Sequence, residues 1–277
     1  MDQRLTPANG RVAHLSLLGS VVAARFVTGD WARVSVALTD LLAEPSGSRE
    51  RQLLYGERFL VLERLGGWAF GQAERDGYVG YLSQSALGDD RAATHWVSAP
   101  ATHLYRYPDI KRPEATALSL GARITVAGTA PGPFVETDQG LFALGQHLRP
   151  LGEWAVDPVA VALQFLGTPY LWGGNSRAGL DCSGLVQATH LACGVACPGD
   201  SDLQQAALGQ PVPPGTPPER GDLLFWAGHV ALVTGPGQII HANGHRMAVT
   251  YEGIADANVR IATQGGGPVI GHNRLAV

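Results

Sequence analysis

From about residue 31 to residue 89, apolar positions recur in short alternating runs at Ala32–Leu38, Arg58–Arg64, Trp68–Gln72 and Gly77–Leu82. Turn-forming clusters stand between them, at Pro45-Ser46-Gly47, Gly66-Gly67 and Asp76-Gly77. A period of two is what a strand with one buried face requires, and short strands at this turn density predict a small β-barrel over residues 31–89. Residues 90–152 repeat the style, with strands expected at Thr94–Val97, Arg123–Ala127, Pro133–Thr137 and Leu141–Leu144, and predict a second barrel. Residues 1–30 form an N-terminal segment ahead of both. The pattern then changes, and residues 153–277 read as a third domain. Asp157 before Pro158 places a capping side chain ahead of a proline at the first helical position, and the apolar run up to Gly167 predicts a helix of about ten residues. A second helix is expected over Cys182–Cys193, stopped by Gly194, and a short third one after Asp200-Ser201. Strands follow at Asp222–Trp226, His229–Thr234, Gln238–His241 and Ala248–Tyr251. Helices first and antiparallel strands afterwards define an α+β domain.

Composition narrows the function. The 277 residues carry a formal net charge of −4, and Lys111 is the only lysine, so no basic field exists to gather nucleic acid. The beginning of the chain lacks the pattern of a secretory signal, and the Leu15–Val22 stretch is interrupted by Ser16, Gly19 and Ser20, which predicts a cytoplasmic protein without a membrane span. Three cysteines cannot all pair with one another and suit a reducing compartment. Cys193 and Cys197 with His190 do not make a four-ligand zinc set, so neither a metal nor a cofactor is expected.

The chemistry concentrates in two places. Thr168 to Asn175 ends in a glycine-rich turn, and Gly179-Leu180-Asp181 leads into Cys182-Ser183-Gly184 at the start of a predicted helix. Free backbone N–H groups and the helix dipole favour an anion there, which suits a thiolate nucleophile and an oxyanion hole. His229 begins an apolar strand directly after Gly228, where it can act as a base. His241 ends the next strand, and a hairpin brings it close to His229 as an orienting group.

Five blocks in order carry a resemblance: Pro169-Tyr170 with Trp172-Gly173-Gly174, Gly179 with Asp181-Cys182-Ser183-Gly184-Leu185, Gly221-Asp222-Leu223 with Phe225, Gly228-His229-Val230, and Ile240-His241-Ala242. Together they resemble the NlpC-type cell-wall cysteine peptidases. With the two upstream barrels, the chain resembles the γ-D-glutamyl-L-diamino acid endopeptidases that carry two bacterial SH3-like domains. The resemblance implies a papain-like α+β fold with Cys182 as nucleophile, His229 as base and acid, His241 polarising it, and Tyr170 beside the oxyanion. It also implies that the substrates are murein tri- or tetrapeptide fragments with a free L-alanine, whose ammonium group Glu57 and Tyr78 would hold. Asp181, Ser183 and Trp172 would be further substrate contacts. One departure is that Gly199 stands where relatives have an arginine. Two other readings keep the same residues: acyl transfer to an amine or lipid, and binding of wall fragments without turnover.

Overall fold

The computed structural model describes residues 1–275, and the end of the third predicted domain, residues 276 and 277, lies outside the described residues. The chain divides after Leu151 into two compact units. In the first unit a seven-stranded antiparallel sheet runs in the spatial order Arg49–Leu54, Leu38–Leu42, Val79–Ser83, Trp68–Ala73, Arg58–Leu65, Asp30–Val34, Leu87–Gly88. It closes around Val34, Leu41, Leu53, Phe59, Tyr78 and Leu82. The single strand expected at Ala32–Leu38 is two strands. The chain breaks step between them because the Ser35 N–H bonds the Ala86 carbonyl, while the Ala37 carbonyl takes the Tyr55 N–H.

The N-terminal segment packs on this barrel. Val12 is fully buried against Leu60, Leu62, Phe70 and Tyr81, and Arg11 and Arg25 approach the buried Glu63 carboxylate at 2.7 and 3.2 Å. The second stretch folds as a five-stranded and a three-stranded sheet. Strands at Ala101–Tyr105 and Glu114–Ser119, hidden in polar sequence, complete it. Its core of Val97, Leu104, Leu118 and Ile124 also takes in Leu54 and Tyr55. The two β modules thus share apolar side chains.

The second unit begins with helices α1 (Pro158–Leu163), α2 (Cys182–Ala192) and α3 (Ser201–Ala207). Strands β1 (Gln210–Pro211), β2 (Leu223–Trp226), β3 (His229–Gly235), β4 (Gln238–Asn243) and β5 (Ala248–Gly253) follow, then α4 (Ile254–Thr263) and β6 (Gly271–Arg274). The sheet order is β1-β6-β2-β3-β4-β5, antiparallel throughout. Asp157 caps α1 through the Val159 N–H, as its sequence predicts, but α1 is only six residues long. Beyond it Gly167 and Thr168 bond Val249 on β5, and these ladder bonds compete with helix propagation. Asp200 occupies the N-cap of α3 without its side chain closing the cap.

Helices α1 and α2 pack on β3. Helix α4, which the sequence reading did not anticipate, covers one face of the sheet by setting Ala257 and Ile261 against Trp226, Ala231, Val233 and Ile239. Among the described residues no helix is long and apolar enough to cross a membrane.

Candidate active site

Cys182 is the first residue of α2, and the local sequence explains why the helix starts there. Asp181 at the N-cap accepts the Gly184 N–H at 2.6 Å and the Ser183 hydroxyl at 3.0 Å through one oxygen. Through the other it accepts the Gly173 N–H at 2.8 Å, which fastens the glycine-rich turn to the helix. Gly184 sits so close to the Gly174 carbonyl that no Cβ fits between them. Behind the helix a buried amide network holds the register. Asn175 donates to Gln187 at 2.9 Å, Gln187 donates to the Cys197 carbonyl at 3.0 Å, and Gln204 donates to the Ser183 and Pro198 carbonyls, each at 2.9 Å.

Strands β3 and β4, on which α2 also packs, bring the two histidines together. The two-residue turn between Trp226 and His229 starts β3, and register places His229 and His241 on the face of the sheet that α4 covers. His229 Nε2 lies 2.8 Å from His241 Nδ1. His241 is fully buried, and its Nε2 lies 2.9 Å from Glu252 Oε2 on β5. Arg260 of α4 grips that carboxylate at 2.8 and 2.6 Å. Burial pulls His229 down to about 3, helped by the neighbouring His241 charge, and burial pulls His241 down to about 4 against the attraction of Glu252. Both rings are therefore neutral at neutral pH, and a neutral imidazole carries the lone pair a base needs.

Tyr170 lies where its backbone meets Leu180 and bonds the Met247 carbonyl. Burial, together with the charges of Cys182 and Asp181, pushes its hydroxyl up to about 12, so it remains a proton donor. Trp172 is exposed on the adjoining turn. His245 and Arg246 are exposed on the turn between β4 and β5.

Other expected contacts have different occupations. Asp181 and Ser183 are committed to the cap just described. Glu57 is buried, with Arg75 3.0 Å from each of its oxygens and the Leu54 N–H bonded at 2.9 Å. The Tyr78 ring belongs to the first barrel's core. Within the barrel, Glu57 and Tyr78 are thus internal groups, Glu57 held by Arg75 and the Tyr78 ring by its apolar neighbours. Cys193 is held up at about 11 by burial and the Asp157 charge, unlike a reactive thiol. His190 donates from Nδ1 to the Val186 carbonyl at 2.7 Å, as a packed helical histidine does. Among the described residues no group of three or more His, Cys, Asp or Glu side chains could hold a metal ion. Sequence reasoning missed Gln187, Gln204, Glu252 and Arg260, whose partners are fixed only by tertiary contacts.

A cysteine opening a helix that packs on a strand led by a histidine, in an α+β unit, defines the papain-like class of thiol enzymes. Comparison with known proteins agrees. The model of the NlpC/P60 family matches residues 167–261, and that of the bacterial dipeptidyl-peptidase Sh3 domain matches residues 41–87. A γ-D-glutamyl-L-lysine dipeptidyl-peptidase of Bacillus subtilis is 31% identical over 217 residues, covering 70% of this chain and 72% of its own length. Dipeptidyl-peptidase 6 of Lysinibacillus sphaericus is 29% identical over 239 residues, covering 76% of this chain and 86% of its own. In fold, the chain is similar to a crystal structure of an NlpC/P60 family protein from Bacillus cereus, with a TM-score of 0.74 at 21% identity over 88% of this chain and 99% of that one. The chain belongs to the NlpC/P60 family of cysteine peptidases and joins its papain-like domain to an SH3-like one.

Proposed function

We propose that the chain is an endopeptidase that hydrolyses the bond between γ-D-glutamate and the following diamino acid in murein peptides bearing a free N-terminal L-alanine. The observation that carries this reading is the His229–His241 pair, His229 half-buried and His241 buried, on the strands that pack against the Cys182 helix. Relatives named for dipeptidyl-peptidase activity on γ-D-glutamyl-L-lysine support the substrate class. His229 takes the Cys182 proton, and the thiolate adds to the amide carbonyl carbon. The oxyanion is met by N–H groups at the start of α2 and by the Tyr170 hydroxyl. His229 then returns the proton to the departing amine, leaving a thioester on Cys182. Water, deprotonated by His229, cleaves the thioester and frees the dipeptide acid.

We place the activity in the cytoplasm, in recycling of imported wall fragments. None of the three cysteines is in a disulfide, and two of them are buried, in keeping with a reducing compartment. The test is incubation of the purified protein with L-Ala-γ-D-Glu-diaminopimelate. Release of L-Ala-D-Glu, abolished in Cys182→Ala, is expected. Turnover undiminished in that variant would refute the mechanism.

A further inference from the structure

We infer that Glu252, clamped by Arg260, is a positioning residue that sets the tautomers of both histidines and so leaves His229 Nδ1 as the lone pair that takes the Cys182 proton. The inference rests on the reading of Cys182 and His229 as nucleophile and base.

Its grounds are the distances along a chain of groups and the inventory of protons. A neutral imidazole has one N–H and one lone pair, and which nitrogen carries the proton is set by what each faces. His241 is fully buried and faces only fixed protein groups at its two nitrogens. A carboxylate oxygen accepts and cannot donate, so Glu252 Oε2 at 2.9 Å places the His241 proton on Nε2. That oxygen stands off the ring N–H axis, which makes the contact electrostatic more than an aligned hydrogen bond, yet it still disfavours a lone pair there.

With Nε2 protonated, His241 Nδ1 is an acceptor. His229 Nε2, 2.8 Å away, must then be the donor, and the remaining nitrogen of His229 is bare. The opposite arrangement, with His241 protonated on Nδ1, would force the His229 proton onto its Nδ1 and disable the base. Arg260 keeps the selection one-sided. Its two bonds at 2.8 and 2.6 Å hold the carboxylate ionised and fixed in place.

The fold supplies these groups by register. Thr250 faces His241 and Ile239 faces Glu252 across the β4–β5 ladder, so alternation puts His241 and Glu252 on one face as diagonal neighbours. Helix α4 packs on that face and carries Arg260.

The experiment uses the full chain and two readouts that need no substrate. Nitrogen NMR of histidine-labelled protein should show both His229 and His241 protonated on Nε2. Glu252→Leu, chosen because a glutamine amide would still accept from the ring, should lose that pattern. It should also slow iodoacetamide alkylation of Cys182, followed on the Cys182 peptide at neutral pH, by roughly tenfold or more. With the tripeptide as substrate, kcat should fall by a similar factor while KM changes by less than about twofold.

Wild-type protein with His241 protonated on Nδ1 overturns the inference without any variant, which covers a Glu252→Leu protein that does not fold. A folded variant with unchanged tautomers and alkylation overturns it too. If the wild-type protein shows the expected tautomers and alkylates readily but leaves the tripeptide intact, the substrate reading fails and the positioning role stands.

Discussion

Glu57 shows how much a single side chain depends on its partners. Its carboxylate is buried and paired with Arg75, itself buried beside Asp76. Removing one member of such a pair leaves an uncompensated charge in the interior and typically costs about 3–5 kcal/mol. Glu57→Ala is therefore expected to lose stability on that order in urea unfolding, with little change in kcat for the molecules that remain folded. A stable variant with a raised KM would instead support the ligand role that the resemblance implied. The pairing itself was not legible in the sequence, because Arg75 stands 18 positions further on, across a turn and two strands, where no local pattern announces it.

The pH behaviour of the histidines belongs to the same scale. Their native values of about 3 and 4 lie below the ordinary 6.5, so protonation of the base should not limit kcat/KM until well below pH 6.5. An acid limb centred near 6.5 in a pH–rate profile would contradict the lowered values of the pair.

Among the elements, the start of α2 matters most. Its position was legible from the glycine-rich turn that leads through Gly179-Leu180-Asp181 into Cys182 and from the stop at Gly194, because turns and helix stops have local signatures. The mixed use of Asp181 was not legible, since one of its bonds reaches back to Gly173 across the turn. Gly184→Ala should force α2 away from the Gly174 carbonyl. We expect at least a tenfold slower alkylation of Cys182, roughly the penalty of misplacing a reacting group by a fraction of an ångström to an ångström, and a lower melting temperature. Unchanged alkylation would show that the helix start tolerates the shift. Helix α4 was missed although Ile254, Ala257 and Ile261 recur at helical spacing, because Asp256, Asn258 and Arg260 dilute the run. Missing α4 also hid Arg260.

For the whole molecule, the order of domains and the α+β character of the last one were readable from strand periods and caps. The shared core of the two β modules was not, since Leu54 and Tyr55 reach their partners only through tertiary packing. The neutral histidines also leave a global signature. Below pH 6.5 the unfolded chain binds protons that the native pair refuses. Their contribution to stability is therefore complete above pH 6.5 and is lost as pH falls towards about 4 and then 3. Urea midpoints measured from neutral pH downward should fall over that window, and the fall should shrink in His241→Asn. An equal fall in the variant would assign it to other groups.

The central claim is that Cys182 carries the acyl group, and rapid acid quenching of the enzyme with L-Ala-γ-D-Glu-L-Lys, followed by mass spectrometry of its peptides, tests it most directly. An L-Ala-D-Glu thioester on the Cys182 peptide, with none on those of Cys193 or Cys197, is the predicted result. Steady release of the dipeptide without that adduct, persisting in Cys182→Ala, would contradict the account.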